Sequence, residues 1–340
     1  MNMRARMFGP AGVQFGQLVL LVVVAITSLT LGRFDVTPRL AARIILSTVL
    51  PITPDWTPQM ETVILDVRLP RILAAILVGA GLALSGASFQ GLFRNPLVSP
   101  HLLGVASGAG FGAALAILFG ASFFTTELFA FVFGLIAVGF AYALSRTYRS
   151  TPILMLVLAG TIVGALFSAL TSLIKYVADP LNKMPAITFW LLGSLNNVSG
   201  ADLAIASPIF IVCAVVLLLI RWRINLLSMG DEDARALGVH TERLKAVIVV
   251  CATFITAAAV SISGIIGWIG LVIPHMGRLL VGPDHKYLLP VSLLIGGSYL
   301  VLVDLVARTA IESEIPIGIL TAVVGAPVFA YLLRKNRSGW

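Results

Sequence analysis

Residues 246–273 read AVIVVCATFITAAAVSISGIIGWIGLVI, an apolar run too long for one straight crossing of about 30 Å of hydrocarbon and too short for two full ones. Gly264, Gly267 and Gly270 break it. How often it crosses decides the side on which every later segment lies. Two further apolar runs follow, Leu288 to Val306 and Ile315 to Leu333, and then a basic tail of Arg334, Lys335 and Arg337. A single crossing would leave that tail opposite the charged stretch Arg221 to Lys245. Two crossings bring them together, as the gathering of Lys and Arg on one face of a membrane asks. The run is therefore expected to form a full helix, about Ala246 to Ser263, and a short broken one, about Gly270 to Leu280.

The rest of the chain agrees with a membrane reading. With 59% hydrophobic and 11% charged residues, it has too few charges to cover a water-soluble surface. Apolar stretches are expected to cross at about Val13–Leu31, from Arg71 to Phe93, Leu102–Phe119, Leu128–Leu144, Ile153–Ile174 and Leu203–Ile220. Added to the later ones, they make an all-α polytopic membrane protein of about ten transmembrane helices. The chain is read as one transmembrane domain, 1–340, with residues 221–245 as its cytoplasmic loop and both termini in the cytoplasm. The first apolar helix is expected to be retained, because no convincing cleavage site follows it and many more spans do. The Pro-rich segment after Leu31 reads as irregular, and Lys175 to Asp202 as a mixed hairpin too polar to cross.

The +8 formal charge sits beside the apolar runs, which speaks for lipid surfaces and against nucleic acid. Cys213 and Cys251 lie in apolar runs without metal-ligand spacing, and His275 stands alone, so no metal site is expected. Asp304 and Arg308, four apart, are most simply an i,i+4 pair.

Within Arg221 to Lys245 the sequence RWRINLLSMGDEDARALGVHTERLK is the longest charged interval. Asp231, Glu232 and Asp233 suit the first turn of a short helix, and Gly238 suits a left-handed stop after it. Apolar Ala234 and Leu237 alternate with Arg235 and the acids, as in a loop pressed against a partner. Arginines also collect on the opposite face, where positive charge is normally sparse: Arg68 and Arg71, three apart, and Arg308. Gly160, Gly164 and Ser168 form a small stripe, with Thr161 beside it, that faces either a neighbour or a substrate route; a slight preference goes to the route. No phosphate-binding GxxxxGK[ST] loop occurs, so the chain is not expected to bind nucleotide in that manner or to act as an enzyme. Spans without deep charges argue against a proton- or sodium-driven carrier, which remains the alternative.

Four segments carry a resemblance: RLPRILAAILVGAGLALSGASFQGLFRNPLVSPHLLGVASGAGFG from Arg68, MGDEDARALGV from Met229, SGIIGWIGLVIPHMGRLLVGPDHKYLLP from Ser263 and EIPIGILTAVVGAPVFAYLL from Glu314. They resemble the permease family of bacterial ABC importers for iron-siderophores, haem and cobalamin. The resemblance implies a dimer of two permease copies around a central path in the bacterial inner membrane. It further implies two cytoplasmic ATPase subunits that use ATP and Mg, and a periplasmic substrate-binding protein. On it, residues Glu232 to Gly238 match the loop that couples to the ATPase. Arg68, Arg71 and Arg308 match arginines that receive acidic residues of the binding protein. The helix from Ile153 matches the path-lining helix, with its gate near Ser150 and Thr151. Ferric siderophore is the first expected cargo, on abundance, ahead of haem, cobalamin and an oxyanion such as molybdate.

Overall fold

The computed structural model describes residues 3–32, 34, 36–146 and 153–335, and among these no strand occurs. In chain order the helices are α1 (Met3–Thr30), α2 (Pro38–Ser47), α3 (Pro58–Thr62), α4 (Leu69–Phe93), α5 (Val105–Leu118), α6 (Phe123–Ser145), α7 (Ile153–Val177) and α8 (Lys183–Leu192). They continue as α9 (Gly200–Leu219), α10 (Arg221–Met229), α11 (Asp231–Ala236), α12 (Thr241–Ser263), α13 (Ile269–Val281), α14 (His285–Thr309) and α15 (Ile317–Lys335). Among the described residues, seven helical stretches are long and apolar enough to cross a membrane, and three shorter apolar helices, α5, α13 and α15, bring the apolar segments to ten. The chain is thus an all-α, multi-pass membrane protein, and the broken run divides as expected into α12 and α13.

The α4 helix is the spine. It is buried along almost its whole length and packs on α12, α13 and α14. Small residues make this possible, because they let backbones touch. A Cβ placed on Gly79 would stand 2.2 Å from the carbonyl oxygen of Gly296 in α14, and one on Gly296 would stand 2.3 Å from that of Gly79.

Two non-helical segments run into the protein between apolar helices. Residues 94–104 include a 3-10 turn, Pro100–Leu103, before α5; residues 264–268 link α12 to α13, with Gly264 and Trp268 both at positive φ. The segments meet where Pro100 packs on Gly270. Backbone carbonyls inside a membrane need internal donors, and Gln90 of α4 supplies one. Its buried amide nitrogen donates to the Val98 carbonyl at 3.1 Å, and its oxygen accepts from Arg278 at 2.6 Å. His101 lies with Nε2 3.1 Å from the Ile266 carbonyl.

The structure differs from the sequence reading between residues 36 and 68. In place of an irregular segment, α2 and α3 each start at a proline behind a threonine N-cap, Thr37 and Thr57. Residues 63–68 then form a wide π turn that joins α3 to α4, so the helical stretch begins at Pro58. Arg68 and Arg71 consequently lie inside a continuous helix and not at its exposed mouth. The Lys175 to Asp202 hairpin does remain short of a crossing, carrying only the ten-residue α8.

Candidate functional site

The charged stretch folds into α10 and α11 at the end of α4 marked by Arg94. The short helix α11 ends as the sequence asks. Gly238 has φ +81°, its N–H donates to the Arg235 carbonyl at 2.9 Å, and the Val239 N–H donates to the Ala234 carbonyl at 3.0 Å. These two bonds satisfy carbonyls that the end of α11 would otherwise strand. Ala234 is fully buried and anchors the helix, whereas Glu232, Asp233, Arg235, Leu237 and Gly238 are exposed.

Asp231 departs from the expected outward acidic tip. Its carboxylate is held between Arg94, at 3.0 Å, and Lys245, which also reaches Glu242 at 3.2 Å. Arg235 bonds Thr241 at 3.0 Å, and Ile224 and Leu227 bury the inner face of α10. Asn225 of α10 donates to Asp284 at 2.7 Å and accepts from the N–H of His285 at 2.9 Å. The element is therefore tied to the ends of α4, α12 and α14 at once.

At the other end of α4 the three predicted arginines come together, but their side chains are used inside the protein. Arg71 is 5% exposed; its Nε bonds Asp304 at 2.8 Å and its two terminal nitrogens bond Glu314 at 3.0 and 2.9 Å. Arg68, also 5% exposed, donates to the carbonyls of Leu29, Thr30 and Phe34 at 2.7, 3.2 and 2.5 Å. Arg308 donates to the Leu31 carbonyl at 3.0 Å, to the Ser28 hydroxyl at 2.8 Å and to the Ser28 carbonyl. Arg68 and Arg308 thus cap the C-terminal end of α1, where unpaired carbonyls and the negative end of the dipole favour cations. The expected Asp304–Arg308 pair is present at 3.6 Å, though Asp304 serves Arg71 more closely. Most of the donors of these arginines are engaged within the chain, by α1, α14 and the segment before α15.

The small stripe of α7 lies against its own chain. A Cβ on Gly160 would come within 2.4 Å of the Leu102 carbonyl oxygen, Gly164 faces Gly104 and Ser107, and Ser168 donates to the Ser107 hydroxyl at 3.3 Å. The stripe thus seats the 3-10 turn and α5, while Thr161 and Ser168 remain exposed at its edges. Ser150 and Thr151, the expected gate, lie outside the described residues.

A cleft of about 530 Å³ lies beside the arginine network, lined by Thr126, Trp190, Ser194, Asn196, Ser263 and Glu314 among others. The sequence reading missed two further groups near it. Glu127, in the second turn of α6, is buried and lines a cavity together with Asp202, which accepts from the N–H and hydroxyl of Ser199 at 2.8 and 2.7 Å. A Ser three residues before an Asp ahead of an apolar run was the available signal for the second partner.

Comparison with known proteins extends this geometry. Residues 20–335 match the FecCD transport family. The molybdate import system permease protein MolB of Haemophilus influenzae is 45% identical over 327 residues, covering 96% of this chain and 96% of that protein. The cobalamin import system permease protein BtuC of Halobacterium salinarum is 44% identical over 281 residues, covering 82% of this chain and 75% of that protein. A solved structure described as an inward-facing conformation of a metal-chelate type ABC transporter superposes with a TM-score of 0.85 at 44% identity, covering 95% of this chain and 99% of that one.

Proposed function

The chain belongs to the FecCD transport family as an ABC importer permease, and on that premise we propose that two copies form a path for a small metal-bearing cargo, molybdate first. The observation that carries the transport reading is the lever at residues 221–245: an exposed face of Glu232, Asp233, Arg235 and Leu237 on an element bonded to three membrane helices. Such an element suits a cytoplasmic ATPase as its driver. That assignment puts both termini in the cytoplasm and the Arg71 network on the periplasmic side of the inner membrane. The cargo rests on likeness along the whole chain to the molybdate permease, which moves molybdate ahead of the ferric siderophore expected on abundance. A metal chelate is the second reading, favoured by the description of the superposing structure.

Docking of a periplasmic binding protein is assigned to the surface that Arg68, Arg71 and Arg308 brace, with exposed cations such as Arg39 of α2 meeting its acids. Exposed pairs of this kind contribute under about 1 kcal/mol each and weaken with salt. The test is uptake by proteoliposomes holding the permease, its ATPase and its binding protein. ATP-dependent entry of molybdate, competed by tungstate and not by ferric chelates, is the expected result. Entry of a ferric chelate alone reverses the cargo assignment, and entry driven by an ion gradient without ATP rejects the importer reading.

A further inference from the structure

We propose that the groove between α6 and α12 is a binding site for an anionic phospholipid, holding one acyl chain along its walls and the phosphate at Arg146 and Arg243. The groove measures about 300 Å³ and is walled by Val138, Gly139 and Tyr142 of α6 and by Ala246, Val249 and Val250 of α12. Both walls belong to membrane-crossing helices, and Val132, Ile136 and Phe140 of α6 with Val247 and Val250 of α12 are exposed around them. Lipid is the solvent there.

The register of the two helices supplies the charge. Arg146, at the C-terminal end of α6, follows Gly139 by seven residues; Arg243, in the first turn of α12, precedes Val250 by seven and Ala246 by three. Two helical turns return a residue to the same face, so both arginines stand over the groove at its α10–α11 end. Both are exposed, and neither side chain has an ion pair or hydrogen bond among the described residues. The acid nearest this mouth, Glu242, is already bonded by Lys245 and Arg235, and Asp231 by Lys245 and Arg94. Two cations therefore remain for a ligand, above a channel without charge. Basic residues beside a groove between membrane helices are the arrangement that selects anionic headgroups.

The size of the groove points to a chain of methylenes. From Leu135 to Arg146 the wall rises about 16 Å, while a helix about 10 Å across does not fit the space. Gly139 opens it further, since a Cβ there would meet nothing within 4 Å.

The test uses the full-length protein in mild detergent, with phosphatidylglycerol and phosphatidylcholine as probes read by native mass spectrometry. Wild type is expected to retain phosphatidylglycerol in preference. Arg146→Gln and Arg243→Gln should each lower that retention by about fivefold and leave phosphatidylcholine unchanged, whereas Arg146→Lys should keep the preference. Gly139→Leu, whose Cβ would meet nothing within 4 Å and whose branched end would occupy the groove, should remove both lipids at an unchanged oligomeric state. Equal retention of the two lipids by wild type overturns the proposal, as does undiminished phosphatidylglycerol binding when both arginines are replaced. Dispersal of a dimer by Gly139→Leu would give the groove to a second copy of the chain and overturn it as well.

Discussion

Asp304 has no exposed surface, yet one carboxylate holds Arg71 at 2.8 Å and Arg308 at 3.6 Å. Removing one partner of a buried pair strands the other charge, so Asp304→Ala should destabilise the protein by about 3–5 kcal/mol in equilibrium unfolding from detergent. A loss below about 1 kcal/mol would mean that the two guanidiniums find replacements at Glu314 and α1. By the same logic Arg71→Glu would set the four carboxylate oxygens of Asp304 and Glu314 against two more, and the yield of folded protein should collapse. The spacing of Arg68, Arg71, Asp304 and Arg308 was legible in the sequence. Their pairing was not, because Arg71 reaches residues 233 and 243 positions away, and no local period reports that.

Among elements, α11 was read most fully. An acidic first turn and a stop at Gly238 follow from the side chains and backbone freedom of those residues, whereas Ala234, read as facing a partner, is buried within the chain itself. Valine at Gly238 should resist φ +81° at a cost of about 1–2 kcal/mol and displace the exposed face. ATP hydrolysis by the reconstituted complex should then lose its stimulation by the loaded binding protein while the permease still inserts; unchanged transport would take the coupling role from this loop. The α7 stripe shows the opposite case. Spacing of four placed Gly160, Gly164 and Ser168 on one face, but the partner of that face is a 3-10 turn whose position depends on the whole bundle. Gly160→Leu should press on the Leu102 backbone and cost about 1–3 kcal/mol of stability. Thr161→Leu, on an exposed position, should change transport alone if that edge lines the path, and nothing if it faces lipid. The helices α2 and α3 were hidden by their prolines, which punctuate loops as often as they open helices.

For the whole molecule, composition and run lengths foresaw a ten-segment all-α bundle, and the parity of basic clusters divided the run at 246–273 correctly. What they could not show is how the interrupted helices are reconciled with a medium lacking water. Gln90 does part of this by bonding the Val98 carbonyl and Arg278 together. Leucine at this position would leave a buried carbonyl and a half-buried guanidinium without their partner, each at about 1–3 kcal/mol. Gln90→Leu should therefore lower thermal stability far more than its apolar character in a membrane would lead one to expect, and wild-type melting would show the carbonyl has another donor.

The cap on α1 also has a consequence in time. The helix leaves a ribosome well before α14, and little of it is buried in the rest of the chain. One of its two clasps, Arg68, is made soon afterwards, but the other, Arg308, follows Ser28 by 280 residues. At a synthesis rate of about 5–20 residues per second the newborn helix waits many seconds, half-fastened, until α14 has been made. A nascent chain cut short before Arg308 leaves this end of α1 open, and quality-control proteases that survey the membrane would meet a frayed helix end that the finished protein never displays.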